Sequence, residues 1–196
     1  MTDGPHNAEG IGPTPTDRPV FTTPWFRLIE RHTPGGASSA PHYCIDTKDY
    51  CTVVALTAER RLLLVRQYRP AVRGVTLELP SGHVEPGQTP AEAARTELIE
   101  ETGHDAERFT LLGNLVPDTG RMANRMWCFW AEGVRPVSDP GWRPEAGMEV
   151  VTHPGPLSRL VLSDGFDHAL NMAALLLATL SGRLPDDFSA VPASRA

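Results

Sequence analysis

Three carboxylates, Glu97, Glu100 and Glu101, crowd the end of the segment GHVEPGQTPAEAARTELIEETG, residues 82–103. Hard carboxylate oxygens gathered on one helical turn suit a hard divalent cation such as Mg²⁺. A cation held that way suits phosphate chemistry. Spacings of i, i+3 and i, i+4 on a helix bring Cβ atoms to about 5–6 Å, and like charges so placed destabilise an isolated helix by roughly 0.2–0.5 kcal/mol per pair. The helix dipole also disfavours anions at a C-terminus. A bound cation would offset both penalties, although a solvated acidic helix face fits the same spacing.

The elements that must position these groups are written in the same segment. Thr89 is placed to cap the helix, Pro90 to open it where a missing N–H costs nothing, and Glu92 to complete a capping box. The interior AEAARTELIEE consists mostly of good helix formers, and Gly103 supplies the stop. Ala91, Ala94 and Leu98 are expected on an apolar face opposite the carboxylates. Gly82 opens the loop that leads into the helix.

The stretch LELPSGHVEPGQTPAEAARTELIEETG, residues 77–103, resembles the Nudix box of the Nudix hydrolases. That box is a glycine, five residues, Glu, seven residues, then Arg-Glu-apolar-x-Glu-Glu-x-Gly-apolar. Gly82, Glu97, Leu98, Glu100, Glu101 and Gly103 match in register. Gln88 stands where the first Glu is expected, Thr96 where Arg is expected, and His104 at the final apolar place. Arg95 lies one residue early, about 100° around the helix, and is a poor substitute. Loss of the orienting Glu and Arg implies an intact metal site with weaker support, at a cost of roughly 10–100-fold in metal affinity or activity. The likeness to ADP-ribose pyrophosphatase-type members extends over residues 25–184 and is strongest from Leu62 to Gly103.

The resemblance implies an α/β Nudix fold: an α/β/α sandwich with a mixed sheet and the box as loop–helix–loop. It implies hydrolysis of the diphosphate linkage of ADP-ribose or a related nucleoside diphosphate sugar to a nucleoside monophosphate and a sugar phosphate. Another nucleotide or specialised diphosphate metabolite is one alternative, and a ligand-binding sensor with weak turnover is another. Carried over residue by residue, Mg²⁺ or Mn²⁺ falls to Glu97 and Glu101, with Glu100 direct or through water and the Ser81 backbone carbonyl. Glu145 is the first choice of general base, with Glu149 second and Glu100 in reserve. Arg69, Arg66 and Arg121 are candidates for the diphosphate, Trp25 for stacking on the base, and Gly82 for close approach. His83, His104 and His168 lack convergent ligand spacing. A homodimer with crossing N-terminal strands is a further implication.

Composition fits this reading. A net charge of −6 offers no basic footprint for nucleic acid. Cys44, Cys51 and Cys128 form no CxxC pair, which points to a reducing cytoplasm. No apolar run approaches a membrane span, and the N-terminus has no basic region followed by an apolar core. Residues 1–20 and 185–196 are read as flexible tails around a Nudix domain at 21–184, with N-terminal strands over about 21–50. Strands are expected at Phe26–Arg31, Pro41–Ile45, and in CTVVAL, RLLLVRQY, VTLELP, FTLLGNLV, MWCFWAEGV and MEVVTH. A short helix is expected at Leu157–Leu162, and a long one from Asp167 through Leu180, stopped at Gly182.

Overall fold

A computed structural model describes residues 16–34 and 40–187, which fall into two compact units. The first holds β1 (Thr16–Thr22), β2 (Phe26–His32) and β3 (His42–Thr47), together with Asp118–Asn124. Its strands form an antiparallel sheet in the order β1-β2-β3. The Thr23 hydroxyl accepts the N–H groups of Trp25 and Phe26 at 3.1 and 2.9 Å, which tightens the first turn. Cross-strand ion pairs Asp17–Arg31, Arg18–Glu30 and Arg27–Asp46 fix the register. Residues 118–124 join through the N–H of Ile45 donating to Arg121 and that of Ala123 donating to Ile45.

This unit differs from expectation at its start. Among the described residues, strand structure is present from Thr16, inside the stretch read as a tail, because β1 pairs with β2 over Thr16–Thr22. All seven β1 residues are exposed, so burial leaves no alternating signal there, and a bulge falls between Pro19 and Phe21. Residues 1–15 and 188–196, and the GG turn at 35–36, lie outside the described residues.

The second unit carries β4 (Tyr50–Ala55), β5 (Leu62–Arg69), β6 (Gly74–Glu78), β7 (Ser81–His83), α1 (Pro90–Thr102), β8 (His104–Asp105) and β9 (Arg108–Leu115). It continues with β10 (Met126–Glu132), β11 (Arg135–Pro136), β12 (Met148–His153), α2 (Leu157–Val161) and α3 (Ala169–Leu180). One sheet has the order β7-β4-β10-β9 and is mixed, because β4 and β10 run parallel while the other pairs are antiparallel. A second, antiparallel sheet has the order β12-β5-β6, and β8 pairs with β11.

Side-chain alternation divides this unit into layers. Cys51, Val53 and Ala55 of β4, with Leu63 of β5, pack against Ala93, Ala94 and Leu98 of α1. Val54, Leu62 and Leu64 point the other way, toward Ala174, Leu175 and Ala178 of α3. Helices therefore cover opposite faces of the strands, which is the α/β/α arrangement.

Helix α1 forms as its sequence dictates. Thr89 and Glu92 close a capping box, Pro90 occupies the first turn, and Gly103 ends the helix in the left-handed region at φ +68. A Cβ on Gly103 would meet the Trp142 indole at 2.8 Å, so close packing joins conformation in requiring glycine. One expectation fails. Glu101 is buried with Ala94 and Leu98, not opposite them, because seven residues return an α-helix to within about 20° of its starting direction. The start of α3 also shifts by one residue: His168, not Asp167, is the cap, its Nδ1 accepting the Asn171 N–H at 3.3 Å.

Candidate metal and phosphate site

The carboxylates of α1 are graded from solvent to interior. Glu100 is exposed, Glu97 half-buried, and Glu101 buried at 7% exposure. Two glycine-loop contacts set the inner pair. The Ser81 N–H donates to Glu101 Oε2 at 2.9 Å. A Cβ on Gly82 would lie 2.0 Å from Glu97 Oε1, so the Glu97 carboxylate rests directly on the Gly82 backbone. Strand β7 is held in turn by β4, with Cys51 opposite Gly82 and Tyr50 opposite His83, whose rings stack at 4.9 Å. Ser81 Oγ donates to the Leu79 carbonyl, and the Leu79 N–H donates to the buried Asn171 Oδ1 at 2.8 Å. Helix α3 thereby braces the strand entering the site, a role for Asn171 that its place in an apolar helix did not signal.

Burial is costly for this pair. Desolvation, reinforced by Glu100, Glu145 and Glu85, pushes the Glu97 carboxyl up to about 7. Desolvation pushes Glu101 up to about 8 against the lowering effect of the Ser81 N–H, with Glu97 adding to the rise. Two carboxyls driven toward neutrality by burial and by each other form a place where positive charge is favoured.

Glu145 is exposed in the turn before β12, and its charge reaches Glu97. Glu85 does the same from the glycine loop while pairing with Lys48 at 2.5 Å, and sequence reasoning passed it over. Arg69, half-exposed at the end of β5, reaches Glu101 electrostatically and pairs with the buried Glu78, a residue also missed. Alternation in β6 points the wrong way: it would bury Val75 and Leu77 and expose Thr76 and Glu78, yet Thr76 and Glu78 form the buried face and Val75 is exposed.

Arg66 alternates to the side of Leu64 and pairs with Glu149 at 2.7 Å, so strand geometry removes both from the Glu97–Glu101 face. Trp25 and Arg121 belong to the first unit, Trp25 at 74% exposure and Arg121 donating to the Gly120 carbonyl. Gln88 replaces a box carboxylate yet keeps the loop closed, because its Oε1 accepts the Glu85 N–H at 3.2 Å. Arg95 is engaged by Asp105 through two bonds, at 2.9 and 2.7 Å, as expected of a poor stand-in for the box arginine.

The family model of the NUDIX domain matches residues 48–152, more than half of the chain. The chain belongs to the Nudix family. Over 82 residues it is 32% identical to a methanol dehydrogenase activator from Bacillus methanolicus, covering 42% of this chain and 44% of that protein. Over 80 residues it is 32% identical to an ADP-ribose pyrophosphatase from Bacillus subtilis strain 168, covering 41% and 43%. The chain thus spans less than half the length of these two relatives. The crystal structure of an ADP compounds hydrolase superposes with a TM-score of 0.69 at 23% identity, over 88% of this Nudix chain and 98% of the other. That likeness establishes the fold.

Nudix proteins generally use divalent cations, so the residues present can be tested for fit. Among the described residues no three Asp, Glu, His or Cys side chains form a ready-made metal cluster. Mg²⁺, however, is usually held by one or two carboxylates and completed by water and substrate phosphates. Two desolvated carboxylates with an adjacent backbone loop match that pattern, and their oxygen donors suit a hard ion. No helix among the described residues is long and apolar enough to cross a membrane.

Proposed function

We propose that this Nudix protein hydrolyses the diphosphate linkage of ADP-ribose or a related nucleoside diphosphate sugar, yielding a nucleoside monophosphate and a sugar phosphate. The buried Glu97–Glu101 pair against Ser81 and Gly82 carries the reading. Likeness to an ADP-ribose pyrophosphatase supports the substrate class. Glu97, Glu101 and the Ser81 carbonyl would hold Mg²⁺ or Mn²⁺, with Glu100 at the solvent edge. When bound, such an ion neutralises diphosphate charge and acidifies the attacking water.

The chain's own groups do the rest. Arg69 offers a guanidinium to the phosphate oxygens from the side of Glu101. Glu145 would take the proton of the attacking water, with Glu100 as the second choice; its exposure and electrostatic reach to Glu97 support that role. The exposed edge strand β1 and the apolar Phe21, Trp25 and Phe26 support pairing with a second copy of the chain.

A ligand-binding role with weak turnover is the second reading, favoured by neutral Gln88 and Thr96 in the box. Incubation with Mg²⁺ and a panel of nucleoside diphosphate derivatives decides between them. Release of the monophosphate, abolished in Glu101→Gln, supports hydrolysis. Ligands that bind without turnover overturn it and leave the binding role.

A further inference from the structure

Arg69 and Glu78 are not direct partners across the β5–β6 ladder. Arg69 stands opposite Gly74, and Glu78 opposite Val65. The arginine side chain must therefore lie back along the strands, over the Gln67–Thr76 pair, to reach the carboxylate. It arrives with one edge only: Nε donates to Glu78 Oε1 at 2.8 Å and Nη2 to Oε2 at 2.7 Å. Thr76 Oγ donates to Oε1 at 2.6 Å and locks the carboxylate from the other side. Glu78 is 3% exposed, while the Arg69 side chain is 43% exposed. A buried anion with three donors is a fixed anchor, and the half-exposed cation above it is what the anchor aims.

The surroundings give that aim a purpose. After Glu78, Glu101 is the carboxylate whose charge acts on the Arg69 guanidinium. An arginine free to rotate would be drawn to Glu101 and would occupy oxygen atoms that a cation needs. With Nε and one side of Nη2 committed to Glu78, the Nη1 end remains for a phosphate oxygen.

We propose that Glu78, locked by Thr76, is a positioning residue that fixes Arg69 as a one-edge phosphate donor and keeps it off the Glu101 carboxylate. This rests on the reading of the site as a diphosphate hydrolase. Glu78 touches neither substrate nor metal; its effect passes through Arg69.

The test uses the full chain with Mg²⁺ and ADP-ribose, and calorimetry with a methylene-bridged, unreactive ADP-ribose analogue. Glu78→Gln is expected to raise KM and weaken analogue binding about tenfold, the worth of one charged hydrogen bond, while kcat changes less than about threefold. The Mg²⁺ concentration for half-maximal activity is expected to rise with it, as Arg69 turns to Glu101. Arg69→Gln/Glu78→Gln is expected to bind no worse than Arg69→Gln alone, because the two act as one unit. If Glu78→Gln fails to fold, Arg69→Lys takes its place, since a point charge cannot make the two-bond fork. Arg69→Lys should show the same rise in KM and Mg²⁺ requirement. Analogue binding and Mg²⁺ requirement equal to wild type in the folded variant, or additive losses in the double variant, overturn the proposal. A wild-type protein that neither turns over nor binds the panel overturns the hydrolase reading instead.

Discussion

Gly82→Ala isolates the contact between loop and helix. The φ of Gly82 is not in the left-handed region, so alanine meets no backbone penalty there. The added Cβ would lie 2.0 Å from Glu97 Oε1, 2.1 Å from Cδ and 2.5 Å from Oε2, where ordinary contact begins at 3.4 Å. The carboxylate must retreat by about 1.4 Å, the shortfall from van der Waals contact. It is the far end of a flexible side chain, so the fold loses only about 1 kcal/mol, the low end for overpacking. For a chain of this size that is a fall of about 2–4 °C in Tm. The site is less tolerant: misplacement of a reacting group by about 1 Å costs on the order of 10²-fold. The same substitution should therefore cut kcat/KM for ADP-ribose about a hundredfold while leaving the protein folded at assay temperature. Differential scanning calorimetry beside steady-state kinetics reads both numbers. A folded Gly82→Ala protein within threefold of wild-type kcat/KM would refute the placement of Glu97 as a metal ligand.

The other expectations are more compact. With divalent cations chelated, Glu97 and Glu101 hold protons up to about pH 7 and 8, whereas unfolded carboxyls release them near 4.5. The native state therefore binds more protons in that window, and the stability these groups contribute is full below pH 4.5 and lost as pH rises through 7 to 8. Melting curves in chelator from pH 5.5 to 8.5 should show the decline, and Glu97→Gln/Glu101→Gln should flatten it; an equal slope in that variant removes these groups as the cause. Mg²⁺ should raise Tm more at pH 8 than at pH 5.5, because binding needs the ionised carboxylates. Restoring the box with Gln88→Glu/Thr96→Arg should increase turnover by up to about tenfold, read as kcat at saturating Mg²⁺. No gain would mean that the Gln88–Glu85 loop bond already supplies the orientation. Thr89→Ala should cost about 1 kcal/mol by removing the cap of α1, measured by urea unfolding at constant m-value.

Features governed by local rules were legible from sequence. The capping box, Pro90 and Gly103 of α1 need only neighbours within four residues, and they stand where the sequence put them. Strands β4, β5 and β10 of the second unit were legible because burial on two faces writes apolar runs, whereas the short β7, β8 and β11 carry no such run and were not read. Strand β1 was not, since full exposure on both faces writes no pattern. At the site, the helical carboxylates could be read from spacing, but their depth could not. Whether Glu101 points to water or to the core depends on β7 passing over it, a long-range fact. Glu78 went unseen for the same reason: its partner Arg69 reaches it diagonally across a hairpin, off any one-to-one pairing.

The parallel pairing of β4 with β10 has a kinetic consequence. Asp49, just before β4, binds the N–H of Arg125, just before β10, across 76 residues of chain. Parallel strands cannot zip from a short turn, so this closure must be made against loop entropy before its contacts reward it. The glycine loop hangs from the other edge of the same strand through only three paired residues. Helix α1 can nucleate early on its own caps, but the backbone that covers its carboxylates must wait for β4 to be anchored. Refolding should then proceed with the acidic turn still open to water, and burial of Glu101 should coincide with the slow, rate-limiting docking of β10 rather than with helix formation.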